Sequence, residues 1–364
     1  MPLAPPGRWR LRGTVLPQGE RRELWLAQGR VWFEPVADCQ TLARDCWVAP
    51  GLVDAHCHVG LGPNGAVDRE TAEAQVICDR QAGTLLLRDA GSPLDTRWLQ
   101  DRPDLPEIIR AGRHIARPKR YLRHYGVEIE PDQLVAEVRR QARRSDGWVK
   151  LVGDWIDRSV GELAPLWPVD TARAAIAAAH QEGAKVTAHC FGGQAALELV
   201  AAGIDGIEHG TGLDDSTIAQ MAARQVALVP TLDNIDIFPG LADQAEAKFP
   251  RHAAHLRALY AGRRQTVIRA IEAGIPVYAG SDAGGTRPHG SLVAEIEALA
   301  AVAGAEFALG AASWRARSWL GRPNLVSGGP ADLIVWRADP RIDLTTLRQP
   351  LAVIRGGWIV AGGP

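Results

Sequence analysis

The chain has 364 residues, of which 46% are hydrophobic and 23% charged, with a formal net charge of -1. This composition excludes a disordered chain, and the length allows one α/β barrel of about 250 residues with a small appendage, or two unrelated domains. The near-neutral charge gives no global reason to expect nucleic acid or an anionic membrane as partner.

The first residues, "MPLAPPGRWRLRG", are rich in proline and arginine, lack the apolar run of a signal peptide, and are followed by no apolar segment long enough to span a bilayer. A cytoplasmic protein is therefore expected. Cys39, Cys46, Cys57, Cys78 and Cys190 are odd in number and unpaired in spacing, which fits reduced thiols.

In chain order, β-rich runs ending in Gly, Asp or His read "GLVDAHCH", "TLLLRDAG", "EIIRAG", "WVKLVGD", "KVTAHC", "GIDGIEHG", "VALVPTLD" and "IPVYAGSDAG". Helix-like stretches lie between them, such as "PDQLVAEVRRQARR" and "VDTARAAIAAAHQEG", the second of which an aspartate can cap and a glycine can end. Eight such strands alternating with helices predict a (β/α)8 TIM-like barrel over residues 49-324. Residues 1-48 and 325-364 contain short Gly-punctuated β-like runs, including "ADLIVWRADP" and "LAVIRGGWIV". Chain ends often lie close together, so these pieces are expected to form one small β-sandwich domain, with two loose tails as the alternative.

Successive side chains of a strand face opposite sides, so His56 and His58 share a face and Cys57 points away. An isolated His-x-His is weak. Its weight grows because Lys150, His189, His209 and Asp282 stand at the carboxyl ends of other predicted strands, the face where barrel active sites gather. Singly, each also has a mundane reading as a surface charge, a hydrogen-bonded core histidine or a helix cap.

With these residues in place, the chain resembles the metal-dependent amidohydrolase superfamily, in particular its imidazolonepropionase-like and Xaa-Pro dipeptidase-like branch. The resemblance rests on "PGLVDAHCH", "VKLVGD", "TAHC", "EHG", "GSDAGG" and "GGPADLIVW". It implies a binuclear centre, with His56, His58 and Asp282 on one metal, His189 and His209 on the other, and Lys150, carbamylated by carbon dioxide, bridging them. A charge count agrees, because an ordinary ammonium at Lys150 would be driven against two divalent cations, whereas a carbamate is an anionic bridge. Two divalent ions are the implied cofactors, with zinc best suited to these ligands and manganese, iron or cobalt as alternatives. The implied reaction is hydrolysis of an amide, cyclic amide or dipeptide-like C-N bond by a metal-bridging hydroxide, with Asp282 as general base.

The loops are less specific. Arg88 and Asp89 are expected to form an ion pair bracing the mouth, with substrate contact by Arg88 as the other reading. The basic stretch "RAGRHIARPKRYLRHYG" carries His114, Arg117, Lys119, Arg120, Tyr121 and His124, either as a solvated loop or as a binder of a substrate carboxylate. Asp154, Trp155, Asp157 and Arg158 are pocket candidates, and His289 is an extra donor to substrate. An esterase, lactonase or phosphotriesterase on the same centre is the rival reading. A deaminase ranks lower, because "HCFGGQ" lacks the glutamate that would shuttle its proton, and a dead barrel kept for binding would be expected to have lost ligands. The expected partner is a small-molecule substrate, without nucleic acid or membrane. Many members of the superfamily self-associate, so a homo-oligomer is compatible with the resemblance.

Overall fold

The structure, a computed structural model, describes residues 6-363; residues 1-5 and 364 of the expected end domain lie outside the described residues. Both ends of the chain enter one seven-stranded sheet, in the order Trp358–Gly362, Ala352–Arg355, Leu333–Trp336, Gln40–Pro50, Trp9–Val15, Glu20–Ala27 and Arg30–Trp32. The two ends meet where Val335 pairs with Val48 in an antiparallel ladder. Alternation puts Leu11, Leu24, Leu26, Val48, Leu333, Val335 and Ile354 into a separate apolar cluster. The hydrogen bonding joins all seven strands into one continuous sheet.

The remaining chain is a TIM-barrel-like α/β fold. Leu52–Cys57, Thr84–Asp89 and Glu107–Arg110 form a parallel three-stranded sheet. A six-stranded parallel sheet follows, ordered Gly126–Glu128, His114–Ala116, Trp148–Val152, Lys185–Cys190, Gly206–His209 and Ala227–Val229. Residues 107-116 pass from one sheet into the other, bending at Gly112, whose φ is +73°. On the opposite side, residues 276-283 lie between the sheets with only isolated bridges, Leu228 to Val277 and Cys57 to Ala283.

The ladder is therefore not closed, for a local reason. Pro276 has no amide proton to give. Farther along, the Asp54 carboxylate accepts from the backbone N–H groups of both His56 and Ser281, at 3.1 and 3.0 Å, where main-chain partners would otherwise stand. The segment stays attached through Ala55 N–H to Ala279 O at 2.9 Å and Asp282 N–H to His56 O at 2.8 Å.

Helices cover the outside, among them Arg69–Gln81, Leu134–Ala142, Val169–Gln181, Gly193–Ala202, Asp215–Arg224, Pro250–Glu272 and Leu292–Ala303. The expected aspartate cap of "VDTARAAIAAAHQEG" is not made: Pro168 occupies the cap position and Asp170 lies in the first turn, where it still complements the helix dipole. No helix among the described residues is long and apolar enough to cross a membrane.

Candidate metal centre

The interior face of the sheet delivers the site. Lys150 stands opposite Thr187 and Val152 opposite His189, while His189 is in register with Glu208, so Lys150, Thr187, His189 and Glu208 belong to neighbouring rungs. Pleating alone would turn His209 away from Glu208. His209 instead has φ +67°, Asp282 has φ +56° and Thr231 has φ +47°, left-handed conformations that cost energy outside glycine and that re-aim residues at strand ends.

Three donor atoms converge. His56 Nε2 and His58 Nε2 lie 3.1 Å apart, and Asp282 Oδ1 lies 3.1 and 3.0 Å from them. Tetrahedral zinc with bonds of about 2.0–2.1 Å places neighbouring donors about 3.3–3.4 Å apart, so these atoms are already near the spacing an ion requires.

The imidazoles are oriented from behind. The Gly91 carbonyl can only accept, so His58 Nδ1–H donates to it at 2.7 Å and leaves Nε2 as a lone pair. His56 Nδ1–H likewise donates to Glu208 Oε2 at 2.7 Å, while His209 Nδ1 meets the Thr231 hydroxyl at 2.7 Å. His189 Nε2 is buried without a hydrogen-bond partner, which suits a metal ligand and is otherwise costly. The rings of His189 and His209 are 4.7 Å apart, and those of His56 and His209 are 5.3 Å apart.

Electrostatics favour neutral imidazoles at three of these positions. Burial lowers the pKa of His58, depresses His189 well below its ordinary value with help from His209 and Lys150, and takes His209 down to about 3. At His56, burial and Lys150 act downward, yet Glu208 and Asp282 outweigh them and its pKa is raised. Burial alone would raise Asp282, but His56 and then His58 hold it well below the usual carboxylate range. Lys150 is 1% exposed, and burial lowers its pKa against the pull of Glu208 and Asp282.

Several partners were not legible as site residues in the sequence. Glu208 is fully buried, accepts from Arg88 at 2.5 Å and from the Thr187 hydroxyl, and is held ionised by Arg88 although burial opposes it. Asn234 donates to Asp282 Oδ2 at 2.6 Å. Glu208 was hidden by simple alternation next to His209, and Asn234 by lying in "PTLDNIDIFPG", which follows the seventh β-rich run without a clear helical period and folds as the helices Leu232–Ile235 and Phe238–Ala245.

A cavity of about 390 Å³ opens above the donors, floored by His58, His189, His209 and Asp282. Tyr121 and Trp155, two of the sequence candidates for substrate contact, line it. Four other expected substrate contacts do not. Arg88 lies inside the barrel, bound to Ala55 O at 2.6 Å and Glu208 and packed on Trp148 and Trp319, so its ion-pair partner is Glu208 and not Asp89. Asp154 accepts from the N–H groups of Phe191 and Gly192. His289 is turned to Asp79 at 2.7 Å. His114 is fully buried beneath the lining, its ring 4.9 Å from His58 and 5.4 Å from Tyr121. The basic stretch is likewise engaged elsewhere, Arg117 with Glu130 at 3.2 Å and Arg120 with Asp157 at 2.8 Å.

The sequence pattern of the amidohydrolase family matches residues 47-360. An uncharacterized protein of Mycobacterium tuberculosis (strain H37Rv) is 54% identical over 352 residues, covering 96% of this chain and 95% of its own. Among solved structures, a Xaa-Pro dipeptidase with bound methionine in its active site superposes with a TM-score of 0.82 at 21% identity, over 97% of this chain and 99% of that one. The ochratoxinase of A. niger superposes with a TM-score of 0.79 at 18% identity, over 98% of this chain and 96% of that one. At such identities these two likenesses concern the fold.

Proposed function

The chain belongs to the amidohydrolase family, and from that premise we propose that it cleaves an amide-type C-N bond at the floor of the 390 Å³ cavity with two divalent metal ions. The observation that carries this reading is the convergence of His56 Nε2, His58 Nε2 and Asp282 Oδ1 within 3.1 Å of one another directly beneath that cavity. In this reading His56, His58 and Asp282 hold one ion, His189 and His209 hold the second, and Lys150 joins them as a carbamate. Imidazole and carboxylate donors suit zinc. Bound there, the ions supply Lewis acidity and bring the pKa of a water toward about 7.

The chain's own groups do the rest. Asp282 accepts the proton of the attacking water and returns it to the departing nitrogen, while Asn234 holds the second carboxylate oxygen and fixes the plane of the group. Glu208 holds His56 in the tautomer that presents Nε2. Tyr121 and Tyr125 line the cavity near Asp282 and provide neutral hydroxyl donors for a substrate oxygen. The sheet whose strands lie between Trp9 and Pro50 and between Leu333 and Gly362 serves as a separate support for the catalytic unit.

Elemental analysis of the purified protein, followed by a panel of amides, dipeptides, cyclic amides, lactones and phosphotriesters, tests the reading. Two metals per chain with turnover of amides is the expected result. One metal with ammonia released from an amino-heterocycle overturns it, as does turnover of lactones or phosphotriesters alone.

A further inference from the structure

The cavity walls above the metal-ligand set carry a signature of their own. Trp155 and Phe191 lie near-parallel with ring centroids 6.5 Å apart, and Phe191 packs edge-on against Phe238 at 4.7 Å. Leu163, Ile237 and Leu256 continue the apolar wall. Among the described residues no arginine lines this space, and its one lysine, Lys248, is exposed.

Nearby cations are occupied. Arg120 donates to Asp157, to Trp155 O and to Ala164 O at 2.8, 3.1 and 3.1 Å, and Arg287 pairs with Asp233. His252 reaches into the lining but faces Glu162 at 3.4 Å. The other lining donors are uncharged: the Asn234 and Gln244 amides, the Thr286 hydroxyl, and the Tyr121 and Tyr125 hydroxyls, whose phenols burial pushes up so that they stay neutral.

An ionised group entering such a space loses its hydration and, beyond the metal-ligand floor, finds only the exposed and solvent-screened Lys248 as a full charge, whereas an apolar group gains by leaving water. We propose that the cavity selects an amide whose acyl and amine portions are both uncharged and of which at least one is aromatic or long and aliphatic, in preference to a free dipeptide. This rests on the reading of the site as a C-N hydrolase. In the reaction the acyl carbon gains the hydroxyl of water, the C-N bond breaks, and the nitrogen leaves with the proton as an uncharged amine.

Two measurements on the metal-loaded protein test this. In turnover, kcat/KM for N-phenylhexanamide should exceed that for L-phenylalanyl-L-alanine by at least about 100-fold, the scale set by an unpaired buried charge. In calorimetry, valerophenone should bind at least about tenfold more tightly than 5-oxo-5-phenylpentanoate, which has the same carbonyl and nearly the same length but ends in a carboxylate. Leu241→Arg places a cation at a partly exposed lining position and should narrow that gap. Equal or reversed binding of the two ketones overturns the proposal, and so does an unchanged gap in Leu241→Arg. A preference for the dipeptide overturns it while leaving C-N hydrolysis standing. Tight binding of valerophenone with no turnover of any amide supports the cavity's selectivity and overturns the hydrolytic reading instead.

Discussion

His56 and Glu208 stand 152 residues apart in the chain, yet His56 Nδ1–H donates to Glu208 Oε2 at 2.7 Å in a fully buried pair. The other Glu208 oxygen accepts from Arg88 and Thr187, so one carboxylate ties three strands behind a single imidazole. Glu208→Gln keeps the shape and removes the charge. Loss of a partner of this kind costs about 10–100-fold in metal affinity, so the variant should retain less metal against a chelator and lose activity in parallel. Unchanged metal retention would show that this contact braces the barrel without tuning the site.

The strand Leu52–Cys57, which carries His56 and leads into His58, enters the barrel through Gly51, where a Cβ would come within 2.6 Å of the Leu85 side chain. Gly51→Ala should therefore destabilise the protein by about 1–3 kcal/mol, the usual cost of overpacking. Urea denaturation measures it. A midpoint equal to that of the wild type would mean that Leu85 moves aside freely.

Cys57 occupies the opposite face from its histidine neighbours, fully buried against Val76, Leu87 and Ile108. Cys57→Ser puts a hydroxyl into that apolar cluster at a cost of about 1–3 kcal/mol and leaves the metal donors untouched. The melting temperature should fall while metal content per chain stays constant. Metal loss without a fall in stability would place the thiol in the site.

Local pattern carried the parts of this molecule that depend on one strand at a time. His56 and His58 share a face because strands alternate, and His189 and His209 stand at or next to the carboxyl ends of short apolar runs; Lys150 instead lies in the middle of Trp148–Val152, and Asp282 in a segment held by isolated bridges. What was not legible depends on departures from those rules. The left-handed φ of His209 lets both it and Glu208 serve the interior, and the Asp54 side chain replaces a ladder that pattern alone would draw as a regular eighth strand. Long-range ion pairs were equally hidden: nothing in "LLLRDAG" distinguishes Glu208 from the adjacent Asp89 as the partner of Arg88. The helical wall after residue 231 escaped because "PTLDNIDIFPG" is short, proline-bearing and not periodic over enough turns to declare a helix.

Asp89 sits near the mouth without belonging to the proposed ligand set, and burial raises its carboxyl from 3.8 to about 7, against the opposing pull of Arg110. The folded state then binds more protons than the unfolded state between about pH 4 and pH 7, so stability falls as pH rises across that window. Asp89→Asn removes the charge and keeps an oxygen for the Gly91 N–H, now at 2.9 Å. The variant should be more stable than the wild type at pH 8, by at most about 4 kcal/mol, with the gap closing toward pH 4. Thermal melts of both proteins across the range decide it. A gap of constant size would assign the difference to packing and not to ionisation.

Lys150 is one of the largest fully buried side chains, sharing the interior with Glu208 and Asp282. If it acts as a carbamate bridge, what the site requires of it is an anionic carboxylate at the end of a long stem, not a basic nitrogen. Lys150→Ala removes the stem and leaves a space lined by polar groups. Metal content should fall below two per chain and amide turnover should drop by at least about 100-fold, in line with the loss of a group acting on the reacting centre. Acetate or propionate, small enough to enter that space, should restore part of both, whereas the equally small but neutral acetamide should not. In the wild type, reconstitution with metal should accelerate with added bicarbonate. Restoration by acetamide as well as acetate would show that the space only needed filling, and Lys150 would then be a packing residue with no bridging role.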